Sequence, residues 1–202
     1  MKAAYRTLYE KYNTILKPLI SEQEGRLETF AVPLLESLSC MLDAVSLADA
    51  CDNDVQKSKY VKVADEALNL SISYSYQYLI YALQKEIDTF EERAPKSVRN
   101  RIDGGKFWKQ YVDHKQAAVL CEVEAKKQES LNPALSVDKY QEAYLHYVEI
   151  DKMFNTFAAE LKDSQWHKKV STCMKGWHWL WVTIWVAVIT AVLRFMISYY
   201  SS

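Results

Sequence analysis

Glycine and proline are almost missing from this chain. Its 202 residues hold four of each, Gly25, Gly104, Gly105 and Gly176 with Pro18, Pro33, Pro95 and Pro133, too few turn formers for a sheet protein of this size. An all-α fold with long helices is the consequence. The same scarcity bears on chemistry, because a phosphate-binding loop or dinucleotide fingerprint needs several glycines between a strand and a helix. The single Gly104-Gly105 pair has no strand before it and no G-K-[ST] after it. H-E-x-x-H and G-x-S-x-G are absent as well.

Paired cysteines are also lacking. Cys40, Cys51, Cys121 and Cys173 form no C-x-x-C and no ligand spacing with the four histidines, so a metal site would have to be assembled from distant parts of the fold. They read as reduced, mostly buried thiols, and neither a metal nor a cofactor is expected. His114 and His146 stand isolated on their helices and read as surface or interface residues. Glu122, Glu124 and Glu129 lie in a Lys-rich stretch that reads as a solvated face. No catalytic constellation emerges, and the chain is not expected to be an enzyme.

What is present is helix-forming sequence, half of it apolar and rich in tyrosine. A first helix is expected to about Lys17. Ser21-Glu22-Gln23-Glu24 has capping-box form, and Pro33 kinks or starts a second helix that ends near residues 51–54. Neither glycine nor proline occurs from Val55 to Arg93, which predicts one long helix. Two more follow, over about 106–130 and 136–164, the latter with Ser136 as N-cap. Residues 68–78, LNLSISYSYQY, alternate apolar and polar as a half-buried strand would. No partner strand exists, and the flanks favour helix. Wound as a helix, these residues give one stripe of Leu68, Ile72, Tyr76, Leu79, Leu83 and Phe90, and a second of Leu70, Tyr74, Tyr78 and Tyr81. Two stripes imply contact on two sides, in a bundle or across a subunit interface. Tyr140, Tyr144, Tyr147, Phe154, Ala158 and Leu161 form a further seam, interrupted by Asp151. A single helical bundle over residues 1–165 accommodates all of this.

The exception to mixed composition comes late. Residues 177–197, WHWLWVTIWVAVITAVLRFMI, contain one formal charge, Arg194; as a helix they would cover roughly 30 Å, the hydrocarbon thickness of a bilayer. Trp177, Trp179 and Trp181 gather at one end and Tyr199 and Tyr200 at the other, as at two membrane interfaces. A transmembrane helix is expected over 177–199, after a basic juxtamembrane segment at 166–176 and before a short extracytoplasmic tail at 200–202. From residue 166 onward there are four basic and no acidic side chains, against 21 basic and 26 acidic before it. Lys168, Lys169 and Lys175 precede the run, so the body is placed in the cytoplasm, and the protein is read as tail-anchored in the inner (plasma) membrane without a signal peptide. Thr183, Ala187, Thr190 and Arg194 share one small or polar helix face. That face could line a pore formed by several subunits, or Arg194 could snorkel from a plain anchor.

The connection RAPKSVRNRIDGGKFWK, residues 93–109, carries net charge +5 within an acidic body. Arg93, Lys96, Arg99, Arg101, Lys106 and Lys109 could neutralise phosphates, and Trp108 could stack on a base. The alternative is a solvated basic loop, or one that faces Glu91 and Glu92 or the lipid surface.

A helical domain with this basic, aromatic-edged loop and the single span WLWVTIWVAVITAVLRFMI resembles the Hailong-type membrane effectors of bacterial anti-phage defence systems. The likeness covers the whole chain in architecture and rests on no specific motif. It implies a cytosolic domain that assembles as a homo-oligomer, a tetramer by preference. That domain would bind a short single-stranded oligonucleotide made by a partner nucleotidyltransferase and so control a membrane pore. The alternative from the residues alone is an anchored, non-enzymatic scaffold that recruits protein partners to the membrane lipid surface through its tyrosine-rich helices.

Overall fold

A computed structural model of the chain describes residues 2–27, 31–93, 99–157 and 160. Among these the fold is all-α, with no strand. Helix α1 (Lys2–Lys11) passes through a π-helical turn (Tyr12–Leu16) into α2 (Lys17–Leu27). Helix α3 (Val32–Ala50), α4 (Asp54–Arg93), α5 (Lys106–Gln128) and α6 (Pro133–Thr156) follow, and a 3₁₀ turn (Ile102–Gly105) leads into α5. Among the described residues no helix is long and apolar enough to cross a membrane. The run at 177–197, with Thr183, Ala187, Thr190 and Arg194, lies outside the described residues.

Helix α4 organises the bundle. At 40 residues it is about 60 Å long, and α1, α2, α3 and α6 all pack on it while α5 pairs with α6. It starts where Asn53 Oδ1 accepts the N–H groups of Val55 and Gln56, at 2.9 and 3.4 Å, satisfying amides that have no partner inside the helix. The short link at 51–53 folds α3 back against α4. Pro33 lies in the first turn of α3, where its missing N–H costs nothing.

The alternating stretch at 68–78 is helical, and the structure changes which of its residues form the second contact. Leu68, Ile72, Tyr76, Leu79 and Leu83 are buried as expected. Leu70 and Tyr81 are exposed, while Asn69, Ser71, Ser73 and Ser75 are buried. Small side chains let α2 and α3 approach α4 closely; hydrogen bonds offset the cost of burying the Ser71 hydroxyl, whereas the Ser75 hydroxyl is buried with no partner among the described residues. Ser37 and Ser71 share a 2.8 Å hydrogen bond across the α3–α4 seam, and Ser71 also donates to Ala67 O. Gln23 Nε2 donates to Ser75 O at 2.9 Å.

Three local expectations are corrected. The first helix does not end at Lys17, because the π turn shifts its hydrogen-bond register just before Pro18: Lys17 N–H donates to Tyr12 O. Asn13 Nδ2 and Thr14 Oγ1 donate to Tyr9 O and Glu10 O in the preceding turn. Residues 21–24 consequently lie inside α2 and form no capping box. Helix α6 begins three residues before Ser136, since Asn132 Oδ1 caps it by accepting from Leu135 N–H at 3.2 Å. Ser136 is buried within the helix.

Tyrosine hydroxyls then tie the helices together. Tyr140 donates to Glu129, Tyr147 to Glu122 at 2.6 Å and Tyr144 to Glu22 at 2.5 Å. Gln84 Nε2 reaches both Glu122 and the Tyr147 hydroxyl from α4, at 2.9 and 2.8 Å. Glu122 and Glu129 are therefore hydrogen-bond acceptors in the helix packing, not members of a wholly solvated face. Burial first, then the accepting carboxylates, push the Tyr140, Tyr144 and Tyr147 hydroxyls above their ordinary value, so they stay protonated donors. Arg26 completes the tie by contacting Glu22, Glu86 and Asp151.

Candidate functional site

The basic connection is fixed to the end of α4 by an aromatic plug and one carboxylate. Phe107 is fully buried, its ring centroid 6.1 Å from Phe90, 6.2 Å from Phe154 and 5.5 Å from Phe157. Phe107 and Tyr111 are one helical turn apart, so the same face of α5 carries Tyr111 toward Glu91. The Tyr111 hydroxyl donates to Glu91 Oε1. Lys115 Nζ donates to the same oxygen at 2.9 Å, and the Arg99 guanidinium lies 3.5 Å away. Burial raises the Glu91 carboxyl, but Lys115, Tyr111 and Arg99 together outweigh it and hold the group below its ordinary value. Burial and the Glu91 carboxylate push Tyr111 in the opposite direction.

The turn itself needs unusual backbone. Asp103, Gly104 and Gly105 have φ of 46°, 59° and 90°, left-handed values that glycine adopts without strain. Asp103 N–H donates to Glu160 Oε2 at 3.2 Å, and Ile102 is buried beneath.

The expected site residues divide accordingly. Arg99 is 7% exposed, and its guanidinium lies 4.5 Å above the Trp108 ring centroid. Trp108 in turn stacks at 5.2 Å on Tyr111. Both side chains are engaged within the fold. Arg101, Lys106 and Lys109 are exposed. Arg93 is the last residue of α4; its side chain, and all of Lys96, lie outside the described residues. An open hollow of about 420 Å³ beside Arg99 is lined also by Asp88, Glu91 and Glu92. With three carboxylates to one guanidinium, it would repel a phosphate. Among the described residues, an anionic ligand is therefore left with the outer cations Arg101, Lys106 and Lys109.

Two other features were not legible as sites. An apolar groove of about 720 Å³ runs between α1 and α3, lined by Tyr5, Leu8, Tyr9, Tyr12, Leu38, Met41, Leu42 and Val45 with Asp49. On the α5–α6 seam, His114 and His146 are not isolated: their Nδ1 atoms lie 3.1 Å apart. Cys121, Glu142 and His146 also place possible metal-ligating atoms within 4.8 Å of one another. The signal was the spacing, since His114 with Cys121 and Glu142 with His146 are seven and four residues apart, each pair on one helix face. Compared with known proteins, the chain matches no protein-family model, no curated protein and no solved structure.

Proposed function

We propose that the chain is a membrane-anchored, oligomeric effector whose helical domain binds an anionic oligonucleotide and controls a pore formed by residues 177–197. The observation that carries this reading is that apolar run, 21 residues with Arg194 as its one formal charge, following an acidic helical body. Apolar side chains left exposed on the helices, Leu42, Leu47, Leu120 and Leu145 among them, favour assembly of several copies. Arg101, Lys106 and Lys109 would meet ligand phosphates. Arg99 and Trp108 would hold the loop that presents them.

The ligand step is tested by titrating a short single-stranded oligonucleotide with the full-length protein in detergent. Three phosphate contacts give a log affinity that falls with log salt at a slope of about −2. Replacing Arg101, Lys106 and Lys109 together by Glu should abolish binding without unfolding the bundle, because all three are exposed. Affinity indifferent to salt, or surviving the triple reversal, would remove the ligand from this reading. A second reading, an anchored scaffold, is favoured by the apolar groove between α1 and α3. It predicts a membrane-bound protein with no conductance and no salt-dependent ligand.

A further inference from the structure

The α5–α6 seam carries chemistry that the proposed function leaves unused. We propose that Cys121, Glu142 and His146 bind a zinc ion, with His114 orienting the His146 ring through their paired Nδ1 atoms. The site stands whether or not the chain spans a membrane.

Thiolate, carboxylate and imidazole are the donors zinc takes from proteins, and in a tetrahedral site neighbouring donor atoms lie about 3.3–3.5 Å apart. The three groups here lie within 4.8 Å of one another, so closing on a metal requires side-chain shifts on the order of 1 Å. Such shifts are open to them, since Cys121 and His146 are half-buried and Glu142 is exposed. Helix packing has already made the long-range part of the site: the residues come from two helices that pair along their length.

The histidine contact supplies the second observation. At 3.1 Å the two Nδ1 atoms are within hydrogen-bond distance, and the tautomers decide which ring donates. In the tautomer in which His146 Nδ1–H donates to His114, the His146 Nε2 carries no proton and would be the nitrogen offered to the metal. A ligating histidine whose other nitrogen is held by a neighbour is the usual arrangement at zinc sites. Glu142 Oε2 pairs with Lys139 Nζ at 2.6 Å, and the carboxylate also accepts a hydrogen bond from the Cys121 thiol, a contact the ion would replace. Burial and the Glu142 carboxylate push the Cys121 thiol up, so zinc would displace its proton to solvent as the sulfur–metal bond forms. Three protein ligands leave the fourth tetrahedral position to water, as in exchangeable rather than closed structural sites.

The test is a cobalt titration of untagged, chelator-stripped full-length protein, followed by displacement with zinc. Wild type should bind one ion per chain with a thiolate-to-cobalt charge-transfer band that zinc removes. Cys121→Ser should lose the band with helix content unchanged by circular dichroism, and Glu142→Gln and His146→Ala should each weaken zinc binding at least tenfold. His114→Ala should keep the band and weaken binding by about 10–100-fold. Absence of the band in wild type, its persistence in Cys121→Ser, or its loss in Cys173→Ser instead, overturns the assignment.

Discussion

Phe107→Ala should destabilise the bundle by about 3–5 kcal/mol, the range for removing a fully buried phenylalanine ring. The cost has two parts: the lost transfer of the ring from water, and a cavity that the neighbours refill only partly. Here Phe90, Phe154, Phe157 and Tyr111 all face the vacated space, and they come from three helices and the end of α6. Collapse around the hole would have to move several elements together, which argues for the upper half of the range. Phe107→Leu retains most of the volume and should cost less than about 1.5 kcal/mol. Urea unfolding of the full-length protein, followed by circular dichroism, checks both. A loss below about 1 kcal/mol for the alanine variant would mean that the aromatic plug does not close this end of the bundle.

Glu91→Ala should cost about 2–3 kcal/mol. It removes the acceptor of the Tyr111 hydroxyl and the counter-charge of Lys115 and Arg99. The heaviest component is Arg99, whose side chain is 8% exposed while that of Glu91 is 31% exposed. Breaking a fully buried pair costs about 3–5 kcal/mol because the surviving charge is stranded. Partial exposure of Glu91 lets water take up some of that charge and places the expectation lower. Arg101→Ala, at an exposed position in the same loop, should stay within about 0.5 kcal/mol of wild type.

The same pairing sets a pH dependence. The folded protein holds Glu91 below its ordinary carboxyl value, so the unfolded chain binds its proton first as the pH falls. The stabilisation is complete above the ordinary glutamate value and disappears as pH drops through the depressed folded value. Glu91→Gln should flatten that part of the acid limb. An unchanged limb would show that the ionised carboxylate is not what the cations recognise.

Much of this architecture was legible because it follows from helix periodicity and from turn residues. The long helix expected over 55–93 is α4 at Asp54–Arg93, since nothing in that stretch interrupts a helix. Its main stripe is buried from Leu68 to Leu83, with Phe90 partly buried at its end. The serines were harder to place: alternation marks them as polar, but only the close approach of α2 and α3 makes Ser71 and Ser75 core residues. The continuation through Pro18 depended on a π turn that composition does not announce.

Site residues divide along the same line. Net charge located the connection between α4 and α5, whereas the inward assignment of Arg99 follows from a pairing with Glu91 that charge counting treats as background. His114 and His146 are 32 residues apart in sequence. Their meeting depends on the register of the α5–α6 hairpin, which neither helix encodes alone.

The central claim, that residues 177–197 form a pore under control of the helical domain, is met most directly by conductance of the full-length protein in planar bilayers. Wild type, Arg194→Ala and Thr190→Leu would be recorded before and after nuclease treatment. Discrete conductance steps, altered by either substitution and by nuclease, are the predicted result. Silence under every condition, from protein shown to be inserted, would contradict the pore and leave an anchored scaffold.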